Sequence, residues 1–63
     1  MNNVELLQFL DSHGLTDEEF AEMLDVTPGA VRHWVRGVRK VPSTVSKLIR
    51  VFRLKPHLMR EFL

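Results

Sequence analysis

With 63 residues and 44% hydrophobic content, this chain suffices for one small folded domain, and the periodic spacing of its apolar residues argues against a disordered segment. It has no cysteine, which excludes a disulfide framework and a cysteine-based zinc finger, and no apolar run approaches the roughly 20 residues needed to cross a bilayer. The net charge of +1 conceals a polarity: Glu5, Asp11, Asp17, Glu18, Glu19, Glu22 and Asp25 make residues 1–31 a net −7, whereas nine Lys and Arg against Glu61 alone make the remainder +8. Such an arrangement suits a protein that turns one face to a polyanion; the alternative is that the two halves pair with each other across the fold. A chain this short buries only about 60% of the surface its unfolded form exposes, so a modest stability, or one shared with a partner, is expected. The start lacks the basic and apolar regions of a signal peptide, which makes a cytoplasmic location the expectation.

Asn2 with Glu5 three residues later has the spacing of a helix cap, and Leu6, Phe9, Leu10 and His13 lie along one helical stripe that ends at Gly14. His13 therefore reads as a partly buried histidine at a helix C-terminus, not as a ligand or a base. Thr16 and Glu19 have the spacing of a capping box, with Leu15 and Phe20 at the staple positions, and predict a second helix over residues 17 to about 24. Asp17, Glu18 and Glu19 then sit at the positive end of its dipole. Val26, Thr27, Pro28 and Val31 repeat the design, with Thr27 as cap and Pro28 in the first turn, and predict a third helix over residues 28 to about 36. Asp25 and Val26 leave room for a turn of three or four residues, and Gly37 supplies a position that takes positive φ. Residues 15–37 are thus expected to form a helix-turn-helix corner, with small Ala21 at the crossing and Leu24, Val31 and Trp34 packed between the helices. Trp34, three residues after Val31, belongs to that core and not to a stacking platform for single strands.

Val41, Pro42 and Ser43 close the next loop, and either Ser43 or Thr44 is expected to cap a fourth helix. Val45, Leu48, Ile49 and Phe52 recur there at i, i+3, i+4 and i+7, one wide apolar stripe, with Lys47, Arg50 and Arg53 off it. Pro56 is expected to start a fifth short helix, PHLMREFL. Its Leu58, Met59, Phe62 and Leu63 either cap the core or form a twofold contact with a second copy. His57 and Glu61 have a spacing that metals use, but two donors without a third make a surface pair. No glycine-rich phosphate loop and no nucleophile beside a histidine and a carboxylate points to an enzyme, a cofactor or a small-molecule substrate.

Leu15-Thr16, Glu19, Ala21, Leu24, Val26-Thr27, Val31, Trp34 and Gly37 together resemble the helix-turn-helix of the Cro and lambda-repressor-like family, the XRE type. The close resemblance spans residues 15–37, and the flanking pattern fits the same family's domain. It implies an all-α domain of four to five helices over residues 1–63. It also implies a regulator, a repressor or autorepressor, that binds an inverted repeat in double-stranded DNA as a homodimer in a bacterial or phage-infected cell. Two positions depart from the pattern. Asp17 stands where the family often offers Gln to a phosphate, which leaves the Thr16 hydroxyl and the exposed amides as donors. Asp25 stands where Gly is common, at a cost of about 1 kcal/mol or less.

The family's base-reading positions map to Pro28, Gly29, Arg32 and His33. Pro28 and Gly29 offer no side-chain donor, so direct readout falls to Arg32, whose fork matches guanine O6 and N7, and to His33, which donates or accepts according to tautomer. The bland alternative for both is an exposed polar residue on a helix surface. Thr16, Thr27, Arg36, Arg39, Lys40, Ser43 and Lys47 are the expected phosphate contacts, although Arg36 also complements a helix C-terminus without any partner. Two rivals share the fold. One is an antitoxin-like protein that binds a toxin through its apolar C-terminal segment, and the other is a domain used only for protein contacts.

Overall fold

Three helices begin where a short polar side chain can cover their first amides. Asn2 Oδ1 accepts from the Glu5 amide at 2.8 Å, Thr16 Oγ1 from the Glu19 amide at 3.1 Å, and Thr27 Oγ1 from the Ala30 amide at 3.2 Å. The Thr16 amide in turn donates to Glu19 Oε1 at 2.9 Å, completing the capping box. In the computed structural model, which describes residues 1–62, these caps open α1 (Asn3–Ser12), α2 (Asp17–Leu24) and α3 (Pro28–Val35). α4 (Ser43–Leu54) and a terminal 3₁₀ helix over Pro56–Glu61 follow, and no strand occurs among the described residues.

The same three helices also end alike. Gly14, Asp25 and Gly37 take φ of 63°, 57° and 77°. The amides that follow them reach back to carbonyls five residues earlier, Leu15 to Leu10, Val26 to Ala21 and Val38 to His33, at 2.9 to 3.0 Å. This is the Schellman closure, and it turns the chain sharply enough to bring successive helices against one another. Asp25 tolerates the left-handed region as expected, but its Cβ still costs energy there. Asp25→Gly is therefore expected to stabilise the fold by up to about 1 kcal/mol, seen as a higher midpoint in urea. A lowered midpoint would mean that the Asp25 side chain itself stabilises the turn.

Two expectations are corrected, the burial of His13 and the cap of α4, and two are made finer, the end of α3 and the form of the last helix. His13 is exposed, not partly buried, because α1 stops at Ser12 and His13 lies in the cap beyond it; its ring rests on Phe9 with centroids 4.6 Å apart. α3 stops at Val35, with Arg36 as its cap, because the Gly37 closure captures the His33 carbonyl. Neither Ser43 nor Thr44 caps α4: Pro42, with φ −58° and ψ 147°, holds the cap position, and both residues after it already belong to the helix. No side chain bonds to the first amides of α4, while Ser46 donates from its amide and its hydroxyl to the Pro42 carbonyl. The final segment is a 3₁₀ helix, with Leu58 donating to Lys55 at 3.0 Å, a geometry suited to a short piece that starts on proline.

The core draws on the predicted stripes, gains Met23, which was not among them, and leaves Leu24 and Leu48 only partly buried at its margin. Leu6, Phe9 and Leu10 of α1, Phe20, Ala21 and Met23 of α2, Val31 and Trp34 of α3, and Val45, Ile49 and Phe52 of α4 are all buried, with Met59 beneath the terminal turn. Phe9 is the hub, edge-on to Phe20 at 6.1 Å and stacked with Phe52 at 6.4 Å. Among the described residues no polar or charged residue is buried. One hydrogen bond ties distant ends together: Asn3 Nδ2 donates to the Val35 carbonyl at 3.3 Å, fastening the start of α1 to the end of α3.

Candidate nucleic-acid interface

α2 and α3 are joined by residues 25–27 alone and pack against each other, with Ala21 of α2 only 1% exposed. α3 turns Val31, fully buried, and Trp34 inward, and the 3.6-residue period then sends Gly29, Arg32, His33 and Arg36 to its other faces. His33 and Arg36 are exposed, while Pro28, Gly29 and Arg32 are half-buried. A Cβ built at Gly29 would meet nothing nearer than Thr27 Oγ1 at 3.9 Å. The fold therefore does not demand glycine there, and the bare backbone leaves room for an outside group to come close.

Arg32 is not free. Its Nη1 donates to Glu18 Oε1 at 3.3 Å across the corner, with the two side chains 42% and 66% exposed. The residues are 14 apart in sequence and match no helical spacing, so Glu18 carried no signal before the helices were packed. Thr16 and Thr27 are exposed, and each hydroxyl oxygen already accepts a cap bond. Each hydroxyl proton remains available to an acceptor such as phosphate.

Beyond Gly37, Arg39 and Lys40 are exposed in the loop, and Ser43 and Lys47 are exposed at the start of α4. These four and Arg50 line one open cleft of about 620 Å³, whose other wall is the beginning of α1. Arg50 is thereby brought beside the loop cations, a placement that its position off the α4 stripe left undecided. The uncapped first turn of α4 opens at the same cleft and adds the positive end of its dipole to the four cations. Arg36, in the α3 cap, does not line that cleft as described.

The four apolar residues at the C-terminus divide. Met59 is 6% exposed and belongs to the core, and Leu58 is half-buried against the same core. Phe62 is 43% exposed and lies edge-on to Phe52 at 5.3 Å, and Leu63 lies outside the described residues. Among the described residues no group of three or more His, Asp or Glu side chains could hold a metal ion, and no helix is long and apolar enough to cross a membrane. A search of curated proteins and a search of solved structures each returned no match. A family model described as helix-turn-helix matches residues 6–58, from the middle of α1 into the terminal 3₁₀ helix. The chain thus belongs to the XRE-type helix-turn-helix family, the Cro and lambda-repressor-like DNA-binding regulators.

Proposed function

We propose that the protein is a sequence-specific repressor, working as one non-enzymatic domain in the cytoplasm, that binds an inverted-repeat operator as a homodimer with α3 in the major groove. The observation that carries this reading is the run of basic side chains, Arg32 on α3, Arg36 at its cap and Arg39 and Lys40 in the following loop, all exposed or half-buried, with exposed His33 and the bare backbone of Gly29 on the same helix as Arg32. Arg32 and His33 read base edges, with Pro28 and Gly29 in van der Waals contact. Thr16, Thr27, Arg36, Arg39, Lys40, Ser43 and Lys47 hold phosphates and fix the register. Leu58 and Phe62, with Leu63, supply the contact between copies.

Selection of bound duplexes from a random pool tests the whole reading. A dimer on one face of B-DNA returns two symmetric half-sites with centres about 34–36 Å apart. On the selected site, Arg32→Ala is expected to cost about 1–3 kcal/mol and to relax one base position. No enrichment, or enrichment unaffected by Arg32→Ala, overturns it. A second reading, an antitoxin-like regulator that also grips a protein, draws support from Leu54 and Val51, 76% and 42% exposed on α4, and it predicts copurification with a partner encoded beside it.

A further inference from the structure

We propose that Glu18 is a positioning residue that sets the base preference of Arg32; this rests on the reading of α3 given above. An arginine on a helix surface has many rotamers and five donors, and in a groove it finds phosphate oxygens as readily as guanine. Arg32 is restrained instead. Glu18 Oε1 holds its Nη1 at 3.3 Å, and the other donors of the fork make no bond among the described residues.

The restraint has a firm base, because Glu18 lies between the two members of the Thr16–Glu19 capping box and its backbone is fixed at the first turn of α2. Its charge acts in the same direction. A carboxylate at the edge of the groove repels the phosphate backbone, so the guanidinium beside it is turned away from phosphates and toward base edges. In free solution a surface pair of this kind contributes little to folding. Inside a groove that excludes water, the same contact becomes stronger and selects one orientation of the fork.

Two effects of opposite sign follow. Removing the charge of Glu18 favours binding to any duplex, since a repulsion is lost, and weakens discrimination, since Arg32 is released. A mere surface pair has no such signature, and a residue needed only for folding shifts the melting temperature instead.

The experiment uses the full chain as wild type, Glu18→Gln, Arg32→Ala and the double variant. Each is titrated against the duplex recovered by selection, its single-base variants and a random-sequence duplex. Glu18→Gln is expected to lower preference at the Arg32 position about three- to tenfold, within the range that one bidentate contact supplies. Binding to the random duplex rises about two- to threefold, the order of one weak surface-charge interaction. The melting temperature stays within about 4 °C, as for other substitutions of exposed residues. In the Arg32→Ala background, Glu18→Gln leaves the preference unchanged, because the two act as one unit. The inference is overturned if Glu18→Gln keeps the full preference, or if the loss persists without Arg32. Should Arg32→Ala itself leave the preference intact, the assignment of Arg32 fails and takes this inference with it; a null result for Glu18→Gln alone leaves that assignment standing.

Discussion

Replacing Phe52 with alanine is expected to lower the thermal midpoint by at least about 12 °C, taking about 4–8 °C per kcal/mol for a domain of this size. Phe52 is fully buried, stacks with Phe9 at 6.4 Å and meets Phe62 edge-on at 5.3 Å, so it joins α4 both to α1 and to the terminal 3₁₀ helix. Truncating such a ring costs about 3–5 kcal/mol. A chain of 63 residues has only about 3–9 kcal/mol in total at typical stability per residue. The variant therefore loses at least about a third of that total, and its helical circular dichroism is expected to melt out at a correspondingly lower temperature. Phe62→Ala supplies the contrast: its ring is 43% exposed, and the shift is expected to be less than half as large. A shift below about 5 °C for Phe52→Ala would mean that the aromatic cluster around Phe9 is not the keystone of the core.

The second large effect concerns salt. If Arg39, Lys40 and Lys47 each neutralise a phosphate, changing all three to alanine lowers the slope of log affinity against log salt by about 2.7, at about 0.9 per contact. Between 50 and 200 mM salt the wild type should then lose about 40-fold more affinity than the variant. Every duplex is affected alike, because phosphates carry no sequence information. Base preference survives in this variant and is relaxed at one position in Arg32→Ala, and that contrast separates the two sets of residues. The measurement is a titration of labelled operator at four salt concentrations. An unchanged slope would remove the cleft from the interface, and loss of preference would make at least one of the three a base reader.

The cleft also illustrates how charge that looks dispersed in the sequence becomes local. Arg39 and Lys40 lie in the loop and Lys47 and Arg50 on α4, yet all four border one space with the start of α1. Asn3 contributes to the same arrangement. Its bond to the Val35 carbonyl holds α1 against the end of α3, and a Cβ at Gly37 would lie 3.5 Å from its side chain. Nothing in the spacing of Asn3 and Val35, 32 residues apart, announces that contact.

The helix starts at Asn2, Thr16 and Thr27 and the closures at Gly14 and Gly37 were legible in the amino-acid order, because each is a local bond or dihedral preference, whereas the left-handed turn at Asp25 was implied by the family resemblance. The inward stripes of α1 to α4 were legible for a related reason, since helical period alone fixes which residues share a face. The same local rules misplaced His13, which continues the α1 stripe in number but follows the end of the helix, and Ser43, which has cap chemistry but helical backbone. Tertiary structure alone decided that Met59 completes the core, that Glu18 meets Arg32 and that Arg50 joins the loop cations. Those outcomes depend on the angles at which whole helices pack, and a packing angle is the joint result of many side chains far apart along the chain.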